Sequence, residues 1–382
     1  MLLQAKTRAA LGTVPVAAAG RDKSCHKHGE SLSINISSTS RNHGLRCPTT
    51  MAVIRYSALL LAAALAASSA TNATNALVVV CFADPAISTK RHSVASHVKG
   101  CQITVASFRL ANPADLIYVI TPRDDMVDPV IQRIAARDAG WRIVSVGDGP
   151  FATSSGGSVP LRGSDGRFSG NCLRHVWYAS VLRSMPDSVE RVMVADGSDV
   201  FFQRDPFDLS RRYGAAELLF FGDRGDTFPE GERYFRQRLD ECADDARKAP
   251  ALLDAVQDAF GGVYANGGIF LGSRRAVLSL AEEVVRSAEA CGYWESDQGL
   301  VNYARYLEAE RRGRDKVVCF PDMAHSVSMG HYAWPSRNAN DELTNAHTGE
   351  VLHIVHQYYT RQHKNNLQIY YAKVAPWLRK FR

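Results

Sequence analysis

Two carboxylates follow an apolar segment near the middle of the chain. Asp196 and Asp199 come just after Arg191–Val194, a segment that predicts a buried strand, and Gly197 and Ser198 lie between them. Ligands of open α/β sheets bind outside the carboxyl ends of the strands. Carboxylates three residues apart across a tight turn can converge on one hard cation, and such a cation can neutralise a diphosphate leaving group. The alternative is that Asp196 caps a turn while Asp199 is solvated.

The segment around the two aspartates is more specific than the pair alone. Residues 196–207 read Asp-Gly-Ser-Asp-Val-Phe-Phe-Gln-Arg-Asp-Pro-Phe. Over these twelve positions the chain resembles nucleotide-sugar glycosyltransferases of the GT-A fold whose metal motif is Asp-x-x-Asp-Val-x-Phe-Gln-x-Asp-Pro-Phe. Such families commonly have Ser-Arg or Val-Arg between the aspartates, where this chain has Gly197 and Ser198. Because the arginine is missing here, any contact that it makes in those families is absent, but both carboxylates are present.

Further segments resemble the same enzymes in the same order, over about residues 77–360 in all. Arg174 lies in an aromatic segment before the metal motif, and Asn266, Gly267 and Gly268 form an Asn-x-Gly segment after it. The resemblance implies that these residues bind the donor together with the two aspartates, the glycines permitting a close approach of the backbone. Each also has a structural interpretation, as a surface ion pair for Arg174 and as a turn for the Asn-Gly-Gly segment.

The later segments bear on the acceptor and on the phosphates. Asp297 and Gln298 resemble the region that contacts the acceptor or the reacting centre, and Asp297 is the candidate base if the reaction inverts at the anomeric carbon. An aspartate at this position can also simply cap a helix. His356 resembles the late histidine that completes the metal shell, and the resemblance implies that Arg361 and Lys364 after it hold the donor phosphates.

The resemblance as a whole implies a glycosyltransferase. Such an enzyme moves a sugar from a nucleotide diphosphate sugar donor to a hydroxyl group of a glycan, a protein or a small molecule. Mn²⁺ or Mg²⁺ would be bound by Asp196 and Asp199, with His356 as the third ligand and His353 as a rival for that position. The alternatives are a secreted non-catalytic carbohydrate- or nucleotide-binding protein on the same fold and, with less support, a two-carboxylate glycoside hydrolase.

Alternating apolar strands and amphipathic helices must position these residues. The alternation predicts an α/β fold with a mostly parallel wound sheet flanked by helices, and the resemblance implies one GT-A-like, Rossmann-like domain over residues 71–382. The predicted strands are Leu77–Phe82, Asp115–Ile120, Trp141–Val146, Arg191–Val194, Glu217–Phe221, Val263–Leu271, Lys316–Phe320 and Val351–Val355. The predicted helices are 92–110, Asp128–Ala139, Cys172–Ser184, 232–248, 251–259, 274–289 and 297–312, with a loop at 147–170.

The N-terminal region has the features of a targeting segment. Residues 51–70 combine Arg55, an apolar run of about twelve residues and a stretch of small residues, which is typical of a secretory signal peptide and too short to span a membrane. Either Met51 is the true start and the extension 1–50 is absent from the mature protein, or the whole is a type II membrane anchor. We favour the cleaved leader and predict a protein of the Golgi lumen or a secreted one, with an N-glycosylation site at Asn72.

Six cysteines lie beyond the predicted leader, an even number that allows three disulfides or, equally, buried free thiols. Their wide spacing matches no zinc-site pattern. They are Cys81, Cys101, Cys172, Cys242, Cys291 and Cys319.

The placement of charge argues against nucleic acid as a partner. The net charge of +6 is contained in residues 1–70, where eight basic residues face two acidic ones, so that residues 71–382 are neutral overall. A nucleic-acid binder is expected to carry its basic excess on the folded domain. The chain also contains neither a Gly-x-x-x-x-Gly-Lys-Ser/Thr phosphate loop nor a Gly-x-Gly-x-x-Gly fingerprint, which leaves ATPase and dehydrogenase functions without support.

Overall fold

The structure is a computed structural model. It describes residues 75–82, 93–153, 156–162, 170–222, 259–292, 294, 297–329, 335–358 and 366–382. The N-terminal extension, the predicted leader and Asn72 lie outside the described residues, as do the predicted helix 232–248 and all of the predicted helix 251–259 except its last residue.

A seven-stranded sheet forms the centre of the described chain. Its strands, in chain order, are β1 (Asn75–Val80), β2 (Leu116–Thr121), β3 (Trp141–Ser145), β6 (Arg191–Ala195), β8 (Leu218–Gly222), β9 (Ala265–Ser273) and β10 (Val317–Phe320). Across the sheet they lie in the order β10-β8-β9-β6-β1-β2-β3. Every neighbouring pair is parallel except for those of β9, which runs antiparallel to both β6 and β8. The prediction of a mostly parallel α/β sheet is confirmed.

Helices cover both faces of this sheet. The described helices are α1 (Val94–Ala111), α2 (Pro129–Ala135), α3 (Leu173–Ser184), α4 (Phe207–Arg212), α5 (Arg274–Cys291), α6 (Gln298–Arg312) and α7 (Asn366–Leu378). The side chains of β1 alternate between two apolar cores: Ala76 and Val78 pack under α3 and α5, whereas Leu77 and Val79 pack under α1. Burial on both faces explains why the strand sequences are continuously apolar. Among the described helices, none combines the length and the apolar character that a membrane span requires.

A smaller sheet lies beside the central one and carries part of the site. It consists of β7 (Val200–Phe202), β11 (Ser326–Ser328) and β14 (Ile354–His356), in the order β11-β14-β7. The strand predicted at Val351–Val355 is therefore shifted towards the C-terminus and belongs to this sheet. Strand β7 and helices α4 and α7 were not predicted, because three- to six-residue elements show no periodicity and Pro376 interrupts the pattern of α7.

Part of the predicted loop at 147–170 is folded. It contains β4 (Phe151–Ala152) and β5 (Ser158–Val159), which pair as a small antiparallel hairpin. A further two-stranded pair joins β12 (Ser336–Arg337) to β13 (Leu343–Thr344). Strands of two residues lie below the length at which alternation can be recognised in a sequence.

The described cysteines include thiols and a disulfide-bonded residue, the two states that the sequence allows. Cys81, Cys101, Cys172 and Cys319 form no disulfide. Cys291, the last residue of α5, is disulfide-bonded. Three disulfides over all six positions are thereby ruled out.

We expect the stability of this fold to fall in mild acid through His325. Its Nε2 lies 3.0 Å from the Tyr213 hydroxyl and its ring 5.7 Å from that of His353, and burial, reinforced by His353 and Arg212, lowers the pKa of His325 to about 4. The unfolded chain binds this proton near pH 6.5, so roughly 1–3 kcal/mol of stability should be lost between pH 6.5 and about 4.

Melting temperatures measured from pH 7.5 to 4.5 for the wild type and for His325→Phe test this expectation. The variant curve should be flatter over that window. Parallel curves would show that His325 does not titrate in the way its surroundings require.

Candidate metal centre

Strand β6 delivers Asp196 to the carboxyl end of the central sheet. Residues 192–195 are almost completely buried, and the backbone N–H of Asp196 donates to the Gly268 carbonyl at 2.7 Å. A Cβ on Gly268 would lie 2.0 Å from Asp196 Oδ2, a distance that no side chain tolerates. The glycine therefore lets β9 approach the carboxylate directly, and the two strands fix where Asp196 emerges.

The turn after Asp196 is held by close backbone contacts. A Cβ on Gly197 would lie 2.0 Å from the Val80 carbonyl oxygen, and one on Gly100 would lie 1.9 Å from the Ser198 carbonyl oxygen. The Tyr358 hydroxyl donates to that same Ser198 oxygen at 3.3 Å. Because the Val80 carbonyl lies so close to the turn, glycine is the residue that fits at position 197.

Helix α1 also holds strand β7, which follows the turn. The Thr104 hydroxyl donates to the Val200 carbonyl at 2.8 Å, and the backbone N–H of Phe202 donates to the Ser107 hydroxyl at 3.1 Å. Both hydroxyl groups are buried, so their pairing satisfies polar groups that would otherwise be costly to desolvate. The backbone around Asp199 is consequently fixed from one side by a helix.

His356 reaches the aspartates through strand pairing. Strand β14 runs antiparallel to β7, with His356 opposite Val200, the residue after Asp199. The imidazole is 1% exposed, and its Nε2 lies 3.2 Å from Asp196 Oδ2 and 3.6 Å from Asp199 Oδ1. His353, the rival candidate, instead lies against His325 and is not part of this group.

Asp196, Asp199 and His356 form a group that fits a divalent cation. One ligand atom of each lies within 4.8 Å of the other two. Oδ1 of Asp199 is buried and has no hydrogen-bond partner among the described residues. Two carboxylate oxygens and an imidazole nitrogen are a donor set suited to Mn²⁺ and acceptable to Mg²⁺. Neither aspartate matches the alternative in which one caps a turn and the other is merely solvated.

The two carboxylates have opposite pKa shifts. Burial raises the pKa of Asp199 to about 6, and the nearby Asp196 carboxylate adds to this effect while His356 opposes it. Burial would raise the pKa of Asp196 as well, but the Arg174 guanidinium and the hydrogen bond with His356 outweigh it and hold that pKa well below its usual range. The negative charge of Asp196 is thus already compensated by Arg174, whereas the negative charge of Asp199 is not fully compensated.

Arg174 connects the metal group to Asp297. It extends from the first turn of α3, with one nitrogen, Nη1, on Asp196 Oδ1 and another, Nη2, 2.6 Å from Asp297 Oδ2. Nη2 also lies 3.3 Å from the Gly267 carbonyl oxygen. Asp297 precedes α6, but its side chain makes no capping hydrogen bond, so the interpretation of this residue as a simple helix cap is wrong. The carboxylate is 4% exposed, and despite burial the guanidinium lowers its pKa.

Residues 265–268 are fastened to the start of α6. The backbone N–H of Gly267 donates to Gln298 Oε1 at 2.9 Å, and the backbone N–H of Gly268 donates to Asn266 Oδ1 at 2.7 Å. The Asn302 side chain exchanges two hydrogen bonds with the backbone of Ala265, each 2.9 Å long. These contacts set the distance between β9 and α6, and hence between Gly267 and Asp297.

In the second half of the motif in residues 196–207, Gln203 and Asp205 form hydrogen bonds to backbone groups. The Gln203 side chain donates to the carbonyls of Leu343 and Leu352 and accepts from the backbone N–H of Leu343. Asp205 accepts from the backbone N–H of Phe207 at 2.9 Å at the start of α4. Gln203 thus holds the segment that leads to β14, the strand of His356, whereas the contact of Asp205 stays at the start of α4.

The structure brings most of the predicted site residues together. Those within the described residues that meet around the carboxyl end of β6 and the start of β9 are Arg174, Asp196, Asp199, Asn266, Gly267, Gly268, Asp297, Gln298 and His356. Arg361 and Lys364 lie outside the described residues. Sequence reasoning missed His175 and the clamping residues of α1. A histidine beside the predicted Arg174 forms no recognisable sequence pattern by itself. Gly100, Thr104 and Ser107 all contact residues 198–202, and their spacing cannot be interpreted before strand β7 is known.

The comparisons with known proteins are distant. Among solved structures the chain is similar to the galactosyltransferase LgtC in complex with donor and acceptor sugar analogues, at 13% identity and a TM-score of 0.46, over 80% of this chain and 96% of that one. It is also similar to an active-site mutant of LgtC, at 12% identity and a TM-score of 0.45, over 79% and 95% of the two chains. Likeness at this level carries no argument about function. No protein-family model and no curated protein matches the chain.

Replacing Gly268 with Ala should weaken cation binding. The new methyl group would meet Asp196 Oδ2 at 2.0 Å and displace the carboxylate, so we expect the affinity for Mn²⁺ to fall roughly tenfold or more. Titration calorimetry of the folded variant measures this directly. Gly214→Ala is the matched control, because the nearest atom to its Cβ would be 3.7 Å away, and it should bind Mn²⁺ as the wild type does. Equal affinities for all three proteins would contradict the placement of Asp196.

Proposed function

We propose that the chain is a divalent-cation-dependent glycosyltransferase that transfers a sugar from a nucleotide diphosphate sugar to a hydroxyl acceptor. The observation that carries this proposal is the group of Asp196, Asp199 and His356, with Arg174 beside it, at the carboxyl end of the apolar strand β6. A ligand of an open α/β sheet binds at this end. The resemblance of residues 196–207 to glycosyltransferase motifs names the ligand class.

The charge of the site supports a divalent cation, through which a diphosphate would be held. Asp196, Asp199 and Asp297 contribute three negative charges, and among the described residues Arg174 is the one guanidinium in contact with this group, which leaves a formal charge of −2. Bound Mn²⁺ or Mg²⁺ would be held by Asp196, Asp199 and His356 and would supply charge neutralisation for a diphosphate leaving group. No diphosphate could approach these carboxylates without such compensation.

The chain's own residues would place the two substrates. Asn266, Gly267 and Gly268 present backbone beside the carboxylates without side chains that would obstruct a sugar. Arg174 is fixed between Asp196 and Asp297, where it would orient the donor. Asp297 and Gln298 lie across from Gly267, and we propose that they face the reacting centre and the acceptor. In an inverting reaction Asp297 would take the proton of the attacking hydroxyl, while a retaining reaction needs no such base.

We also propose that the protein passes through the secretory pathway, to the Golgi lumen or the exterior. The signal-like segment 51–70 supports this proposal. The disulfide at Cys291 adds support, because disulfides persist in oxidising compartments.

Asp199→Asn should abolish cation-dependent turnover. The substitution keeps the shape of the side chain but removes the charge that holds the cation, and we expect kcat/KM for the donor to fall by roughly a hundredfold or more. The assay is release of nucleoside diphosphate from a panel of sugar nucleotides with Mn²⁺ and then with chelator.

Asp187→Asn serves as the control for the assay. Its carboxylate is fully exposed and, among the residues that the structure describes, its ion pair is with Arg274, so this variant should keep wild-type turnover. Wild-type turnover in Asp199→Asn would contradict the metal assignment. A folded wild type that releases nothing from any donor and binds no nucleoside diphosphate would instead favour the non-catalytic binding protein.

A further inference from the structure

His175 is a buried titratable residue beside the site that the proposed reaction does not use. Its imidazole is completely buried, with the ring of Tyr178 edge-on at 5.4 Å and the ring of Phe270 stacked at 6.2 Å. Its Nε2 lies 2.9 Å from Asp297 Oδ2. A polar group in such apolar surroundings is costly unless it is paired, so this contact is the one that justifies a histidine here.

The surroundings determine which ring nitrogen carries the proton. Nε2 faces a carboxylate oxygen and must therefore be the N–H donor, since two lone pairs would repel each other. Nδ1 is buried and has no hydrogen-bond partner among the described residues, so a proton there would be an unpaired buried donor. Burial also lowers the pKa of His175, against the opposing effect of Asp297. The imidazole is accordingly neutral, with its proton on Nε2.

This donor completes the set of contacts on one oxygen of Asp297. Oδ2 pairs with His175 Nε2 at 2.9 Å and accepts from Arg174 Nε at 2.7 Å, and the positively charged Arg174 Nη2 lies 2.6 Å from the same oxygen. The other oxygen, Oδ1, lies 3.6 Å from where a Cβ on Gly267 would be. The two hydrogen bonds and the ion pair on Oδ2 hold the carboxylate in one orientation, with Oδ1 towards Gly267.

The same contacts hold Arg174 in place. Its Nε and Nη2 are fixed on Asp297, which leaves Nη1 directed at Asp196 Oδ1. A guanidinium is planar and rigid, so the position of one edge determines the position of the other. A displacement of Asp297 would therefore be transmitted through Arg174 to a metal ligand.

We propose that His175 is a positioning residue, whose Nε2–H orients Asp297 and, through it, Arg174 against Asp196. The inference deepens the proposed function and rests on it only for the kinetic part of its test. His175 contacts none of Asp196, Asp199 and His356 in the described structure, so its effect on turnover is expected to be indirect.

The contact itself is tested by nuclear magnetic resonance, without any need for activity. In protein labelled with ¹⁵N-histidine, the imidazole signal that disappears in His175→Gln should be that of a neutral ring with its proton on Nε2, and it should shift in Asp297→Asn. A proton on Nδ1, a cationic ring at neutral pH, or a signal that Asp297→Asn leaves unchanged would overturn the inference. This holds even if no donor is turned over, the outcome that would count against the proposed function instead.

The positioning role is tested by two variants of similar bulk. His175→Gln keeps an N–H donor near Nε2, whereas His175→Leu keeps only apolar volume. We expect His175→Leu to lower kcat/KM for the donor by roughly 10- to 100-fold and His175→Gln to recover most of that loss. His325→Leu is the matched control, since it removes another buried imidazole, the one bonded to Tyr213, and should leave kcat/KM unchanged.

Two results would overturn the positioning role. One is wild-type kcat/KM in His175→Leu, and the other is an equal loss in folded His175→Leu and His175→Gln, which would reduce His175 to a packing residue. If His175→Leu fails to fold, His175→Gln and the resonance of the wild-type imidazole still decide the question.

Discussion

The balance of negative charge at the end of β6 governs the rest of the site. Asp196, Asp199 and Asp297 are each largely buried, and the contacts of the described residues provide one guanidinium, that of Arg174, to offset them. Arg174 contacts the first and the third, so Asp199 is left with a raised pKa and an oxygen without a hydrogen-bond partner. Carboxylates in this condition destabilise a fold unless a ligand compensates them. The three side chains Asp196, Asp199 and His356 therefore fit a divalent cation.

Keeping like charges together requires a stiff backbone. Here the stiffness comes from contacts in which no side chain intervenes: Gly268 against Asp196, Gly197 against Val80, and the Ser198 carbonyl against Gly100. Repulsion between the aspartates could otherwise be relieved by a shift of the turn. Because two strands and a helix meet this turn directly, the repulsion is retained, and a bound cation would relieve it.

The sequence predicts the parts of this arrangement that lie in long elements. An apolar strand that ends at two aspartates can be recognised without a structure. The resemblance of the late segment at residues 355–358 points to His356, with His353 as a rival that the sequence does not eliminate. The pairing of β7 with β14, which brings His356 to Asp199, has no such signal because each strand has three residues. Likewise, Gln203 and Asp199 both belong to the motif, and the sequence alone does not distinguish a supporting residue from a site residue. The three hydrogen bonds of Gln203 to backbone show that it supports the site and takes no part in it.

The central claim is that Asp196, Asp199 and His356 bind one divalent cation. Crystals of the protein grown with Mn²⁺ and a nucleoside diphosphate, measured at the manganese absorption edge, would locate the ion from its anomalous scattering alone. Our account predicts one strong anomalous peak within coordination distance of all three side chains, with the diphosphate oxygens completing its shell. A fully bound nucleotide with no peak at these residues, or a peak coordinated by other residues, would contradict it.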